Sequence, residues 1–298
     1  MGAREAMEEE IEPYSIKQAF WTPSQLGVLT IDQLQFVANA LMGSQYPLLI
    51  TGYTGREHEG VQALVRLADI VKGLRILDTA GADMCFPADH PAWLGLRYGE
   101  HDAITKADVI IVVECDVNKA SPARAQSSSA NMRQQVPWIT ARCRPRKDAT
   151  VIQIDSEPLK HTMQVFYLDA VARIQAHPTK CLEALAAYIE HNFGSIITSD
   201  AFVTRWDWLV EAHQARLSQI VQEARPTVDG SLSPAFLMSQ LRTRCPVDTV
   251  WVVEAVTSAF IAADQIQATI PGSWVNCGGG GLGWSGGGAL GVKLATDL

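Results

Sequence analysis

Short runs that are apolar at nearly every position recur along this chain, and helical patterns separate them. Pro47-Leu48-Leu49-Ile50-Thr51, Leu74-Arg75-Ile76-Leu77, Asp108 to Glu114 and Thr150-Val151-Ile152-Gln153-Ile154 are of strand length, and the third is apolar on both faces. A strand with one wet face alternates polar and apolar residues; one without that alternation needs cover on both sides. The cover is present in the sequence. Leu34, Val37, Ala38 and Leu41 form one helical face behind a Thr30/Gln33 capping box, and Val61, Leu64, Leu67, Ala68 and Val71 form another. The pattern predicts an α/β fold, a doubly wound, Rossmann-like parallel sheet, over residues 26–195.

The remainder divides around that unit. Residues 1–25 read as a charged helix end and an extended linker, with Pro13 and Pro23 as breakers. Residues 196–233 read as a bridging helix and linker. In it, Phe202, Trp206, Leu209, Val210, His213, Leu217, Ile220 and Val221 fall along one side of a helix from Asp200 to Glu223. Ser233 as N-cap and Pro234 at the first helical position open a new helix through Leu237 and Leu241. Then come a strand, Thr249 to Val253, its carboxyl end Glu254-Ala255-Val256-Thr257-Ser258, and a helix from Ala259 to Gln265. Residues 234–298 therefore read as the beginning of a second, truncated α/β domain. Within the first unit, residues 118–135 are polar, small and without period, and are expected to be a disordered insertion.

Composition removes several function classes. The chain of 298 residues carries 24 basic and 32 acidic side chains, a net charge of −8, without a basic stripe, which argues against nucleic acid as a partner. Its six cysteines are scattered with no pair at metal-ligand spacing, so reduced thiols are expected rather than a disulfide frame or a zinc site. The acidic N-terminus lacks the features of a leader, and no apolar run is long enough to cross a bilayer. A cytoplasmic protein without a membrane partner is the expectation.

The last part of the chain carries the chemistry. Val275-Asn276-Cys277 leads into Gly278-Gly279-Gly280-Gly281-Leu282-Gly283-Trp284-Ser285-Gly286-Gly287-Gly288 and then Ala289 to Ala295. This reads as a strand end, a bare-backbone turn and a helix start, where main chain can lie against a ligand and unpaired N–H groups can meet an anion. Leu282, Trp284, Leu290, Val292 and Leu294 are expected in a packed interior, as a flexible tail would not carry them.

Gly279 to Ala295, together with Pro47 to Gly55, His90 to Gly95, Ala107 to Asp116 and Ile152 to Leu159, resembles the thiamine-diphosphate-dependent enzymes of the acetolactate synthase and benzoylformate decarboxylase type. Those enzymes have a pyrimidine-binding, a central and a diphosphate-binding domain. The resemblance implies a fragment that holds the end of the first, the whole of the second and the start of the third. It implies thiamine diphosphate and Mg²⁺ as cofactors, a small-molecule 2-oxo acid as substrate, decarboxylation or carboligation as the reaction, and a homo-oligomer. Gly281, next to Gly280, would offer its carbonyl to the aminopyrimidine. Leu282 would be the wedge that bends the cofactor, Gly283 and Trp284 would line the same wall, and Val256, Thr257 and Ser258 would face the diphosphate.

The departures from the pattern matter as well. The family's glutamate lies in the pyrimidine-binding domain and its Gly-Asp-Gly metal segment lies later in the third domain; this sequence has neither, and Asp229-Gly230 falls in the linker. The chain alone is therefore expected to be inactive, with no catalytic or metal-ligating residues of its own. Two further readings stand beside this one. The chain could be a non-catalytic paralogue that docks to full-length subunits. Alternatively, it is a flavin- or nucleotide-binding module using the turn Gly52-Tyr53-Thr54-Gly55, although that turn lacks the G-x-G-x-x-G spacing.

Overall fold

The computed structural model describes residues 15–22, 25–79, 83–97, 101–115, 117–118, 136–137, 144–161, 168–255, 257–277 and 281–296. The capping box forms as read: Thr30 Oγ1 accepts from the Gln33 amide at 3.3 Å and Gln33 Oε1 accepts from the Thr30 amide at 2.9 Å. It opens α1 (Ile31–Gly43), which buries Leu34, Val37, Ala38 and Leu41. Next come β1 (Pro47–Thr51), α2 (His58–Ile70), β2 (Arg75–Asp78), β3 (Trp93–Leu96), α3 (Asp102–Lys106) and β4 (Val109–Val113). Two short strands, β5 (Val117–Asn118) and β6 (Val136–Pro137), precede β7 (Thr150–Asp155), β8 (Ala172–Gln175) and α4 (Pro178–Ile197).

Six strands form one sheet in the order β3-β2-β1-β4-β7-β8, with every pairing parallel. Every residue of β1 and β4 is buried, which is the two-sided cover their composition demands. Alternate positions feed two cores. Leu49, Ile111 and Ile152 point to the face carrying α1, α2 and α4, while Leu48, Ile50, Ile110 and Val112 pack with Ala103 and Ile104 on the other. Each such aliphatic side chain contributes about 1.5–3 kcal/mol by leaving water, so these central strands anchor the fold.

The sequence reading did not find β3, β8 or α4. Of the expected insertion, Asn118 pairs in parallel with Pro137 beside the Val117–Val136 pair, and 119–135 lie outside the described residues.

A single helix, α5 (Asp200–Glu223), then runs along the sheet unit, burying Phe202, Leu209, His213 and Ile220. Val221 does not join them: it is 65% exposed, because it is turned about 100° from Ile220 and only one of two adjacent positions can face the core. After α6 (Pro234–Arg244), where Ser233 accepts from the Phe236 amide at 3.1 Å, come β9 (Trp251–Val253), α7 (Ala259–Ile266), β10 (Trp274–Asn276) and α8 (Trp284–Ala295). Leu237 and Leu241 of α6 stand partly in water.

β9 and β10 pair in parallel and rest against the β3 side of the main sheet through a third core, in which Val61, Met84 and Leu96 meet Ala262, Ala263, Ile266 and Trp274. An isolated bridge from Asp83 to Val275 and the bond from the Ala88 amide to the Ala268 carbonyl at 3.1 Å add backbone ties. Gln265 Nε2 donates to the Ile220 carbonyl at 2.8 Å, tying α7 to α5.

Candidate functional site

The parallel pairing of β9 and β10, with Trp251 opposite Trp274 and Val253 opposite Asn276, brings their carboxyl ends to the same edge. In open parallel α/β sheets that edge is where ligands bind. Thr257 and Ser258 follow β9 in the chain, and Gly281 to Trp284 follow β10.

Glu254, the residue after β9, connects them. Its Oε1 accepts from the Gly283 amide at 2.6 Å and its Oε2 from the Ser285 amide at 2.7 Å. These amide donors, Ser285 first and Gly283 next, hold its carboxyl below the usual carboxylate range. Gly283 sits at φ 89°, the left-handed region that favours glycine, and serves as N-cap of α8. A Cβ at Gly288 would come within 3.2 Å of both the Trp284 ring and Val252 Cγ1, so the glycine leaves room for the indole beside β9.

The candidate residues fall as follows. Gly281 is exposed, with open space where a side chain would stand, and its carbonyl accepts from the Trp284 amide at 3.3 Å, leaving a lone pair for a second donor. Leu282 is 90% exposed and Trp284 37%. The hydroxyls of Thr257 and Ser258 bond to no described residue. Val256 and Gly280 lie outside the described residues.

The expectation of a packed interior for the apolar residues here is overturned. Leu290 and Leu294 are exposed at 68% and 88%, and α8 buries no residue. The reason is geometric: α8 packs against β9 of the two-stranded sheet, which covers no more than a stripe of the helix. The expectation of a helix start open to a diphosphate is also corrected, because the amides of Gly283 and Ser285 are already satisfied by Glu254. Sequence reasoning missed Glu254. An acid at the end of a strand, ahead of a second strand that feeds a helix, was the available signal. Among the described residues no group of three His, Cys, Asp or Glu side chains is arranged to hold a metal ion.

The main sheet has its own crevice at the carboxyl ends of β1 and β4, where strand order reverses. A cavity of about 160 Å³ there is lined by Tyr53, Arg56, Glu57, Glu114, Ser156 and His177, among others. The Gly52 and Tyr53 amides, which a phosphate would need, both donate to the Glu114 carbonyl, at 3.2 and 2.9 Å. The Ser156 hydroxyl donates to Glu114 Oε1 at 2.6 Å and Thr179 Oγ1 to Glu57 Oε2 at 2.5 Å. The walls thus carry two carboxylates, and the first two amides of the turn Gly52–Gly55 are already engaged.

Residues 34–185, half of the chain, match the family model for the central domain of thiamine pyrophosphate enzymes. The chain belongs to the thiamine pyrophosphate enzyme family. Its fold is similar to that of a Rhodococcus jostii RHA1 thiamine diphosphate-dependent 4-hydroxybenzoylformate decarboxylase, with a TM-score of 0.63 and 19% identity over 92% of this chain and 46% of that one. It is also similar to benzoylformate decarboxylase from Polynucleobacter necessarius, with a TM-score of 0.59 and 18% identity over 98% of this chain and 48% of that one. This family member therefore spans about half the length of those proteins. No curated protein sequence matches it significantly. No helix among the described residues is long and apolar enough to cross a membrane.

Proposed function

We propose that this thiamine pyrophosphate family chain supplies the central domain (residues 26–195), a connecting helix and linker (196–233) and one wall of the diphosphate-binding domain (234–298). The enzyme would depend on thiamine diphosphate and Mg²⁺ and would act on a small 2-oxo acid, by decarboxylation or carboligation, as a homo-oligomer. The observation that carries the reading is the exposed Leu282 beside the open backbone of Gly281, at the carboxyl edge of a parallel sheet.

An apolar ridge in water is unfavourable unless something flat and partly apolar covers it, and a bent thiamine ring pair would do so. Leu282 would prop the cofactor, the second lone pair of the Gly281 carbonyl would accept from its amino group, and the Thr257 and Ser258 hydroxyls would donate to its diphosphate. When bound, thiamine diphosphate supplies the nucleophilic carbon that such chemistry requires. By this reading the chain alone does not turn over substrate.

The test is a titration of the isotope-labelled full chain with thiamine diphosphate and Mg²⁺, followed by amide NMR and an assay of benzoylformate consumption. The expected result is saturable shifts at Thr257, Ser258 and Gly281 to Trp284, little change in melting temperature, and no turnover. Shifts absent from these residues, or flavin-induced shifts at Tyr53 and Glu114 instead, would overturn the reading.

A further inference from the structure

Glu254, directly after β9, reaches across to the turn that opens α8. Both of its oxygens are engaged, one on the Gly283 amide and the other on the Ser285 amide, across 29 and 31 residues of chain. The amide between them, on Trp284, bonds to the Gly281 carbonyl. All three amides at the start of α8 are therefore occupied, two of them by one carboxylate.

A helix start draws an anion, and charge-assisted bonds to a carboxylate are stronger than neutral ones. Here the anion is part of the chain and is delivered by the neighbouring parallel strand. Packing touches the turn at Trp284, near Gly288 and Val252, whereas the positions of a Cβ at Gly281, Gly283 and Gly286 meet nothing within 4 Å, and Leu282 is almost wholly in water.

We propose that Glu254 is a positioning residue. It acts as a clasp that fixes the Gly281–Trp284 turn with Leu282 upright and, by filling the start of α8, keeps phosphate groups off that helix. Resting on the cofactor reading, this leaves the diphosphate to the hydroxyl side of the shelf at Thr257 and Ser258.

The experiment compares the full chain with Glu254→Gln and Glu254→Ala by amide hydrogen exchange and by NMR titration with inorganic pyrophosphate. Exchange at Gly283 and Ser285 is expected to be about tenfold or more faster in Glu254→Ala, with Glu254→Gln intermediate because it loses the negative charge and replaces one of the two accepting oxygens with an NH2 donor. Pyrophosphate should leave these two amides unmoved in the wild-type chain and shift them saturably in Glu254→Ala. Equal exchange in all three chains, or equal pyrophosphate shifts in wild type and Glu254→Ala, would overturn the proposal. A parallel titration with thiamine diphosphate separates the two ideas. If the clasp behaves as expected while thiamine diphosphate moves neither Gly281 nor Leu282, the cofactor reading fails and the clasp stands.

Discussion

Arg97 and Asp264 meet in a two-pronged ion pair, with Nη1 3.2 Å from Oδ1 and Nη2 2.9 Å from Oδ2, joining the end of β3 to helix α7. Arg216 of α5 adds a third contact, Nη2 to Oδ1 at 2.6 Å. One carboxylate, 12% exposed, thus holds two guanidinium groups and pins the main sheet, the long helix and the second sheet unit together. Burial lowers the Arg216 pKa and Asp264 opposes that shift.

Replacing Asp264 leaves two poorly hydrated cations facing each other. Asp264→Ala is expected to cost about 3–5 kcal/mol, the usual consequence of removing one partner from a largely buried ion pair. Urea unfolding at neutral pH measures it, and a loss below about 1 kcal/mol would show that the cluster is better solvated than its geometry implies.

Gly95 makes room for this cluster. A Cβ there would lie 2.2 Å from Arg216 Nη2 and 3.0 Å from Arg97 Nη1, and the residue sits at φ 93°. Gly95→Ala should destabilise by about 1–2 kcal/mol from the backbone alone, with more from displacing the guanidinium. Combined with Asp264→Ala the effects should be less than additive, because an unpinned Arg216 can swing aside; a double-mutant cycle reads this directly.

His101 gives the region a pH dependence. Its Nδ1 accepts from the Ala103 amide at 3.1 Å, and burial, then Arg97 and Arg216, lower its pKa from 6.5 to about 4. The folded state therefore favours the neutral ring. The unfolded chain binds the proton more readily, so stability is full above pH 6.5 and falls as the pH drops towards 4. His101→Asn keeps a capping oxygen without titrating, and should flatten that part of the stability curve relative to wild type. Identical slopes in the two proteins would disprove the assignment.

Leu282 tests the shelf from the other side. Since the side chain is 90% exposed, Leu282→Ala should change stability by less than about 0.5 kcal/mol. The same substitution should shrink the thiamine diphosphate shifts at Gly281 to Trp284. A large drop in melting temperature would instead make Leu282 an ordinary packing residue.

The parts legible in the sequence were those whose environment is written locally. Thr30 and Gln33 cap each other across three residues, and β4 announces its two-sided burial in five consecutive apolar side chains. β8 is an edge strand of four residues, Ala172–Gln175, with only Ile174 buried, too short and too mixed to rise above a loop. α4 was readable but missed: Cys181, Leu182, Leu185, Ala186 and Ile189 have helical spacing directly after Pro178. At the shelf, the glycines and Leu282 stood out by composition. The part played by Glu254 did not, because it exists only once β9 and β10 lie side by side. The interior expected for Leu290 and Leu294 failed for the converse reason: an apolar residue states a preference for cover without naming what provides it.

The order of the main sheet sets a schedule for its assembly. Of the strands of this sheet β1 is synthesised first, yet it finishes between β2 and β4, whose partner residues for Leu49 are Ile76 and Ile111. A nascent chain that has passed Asp78 but not Val109 has one side of its innermost strand without hydrogen-bond partners. During that interval the protein is most open to wrong pairing with another polypeptide, and any expression boundary placed there would make the exposure permanent.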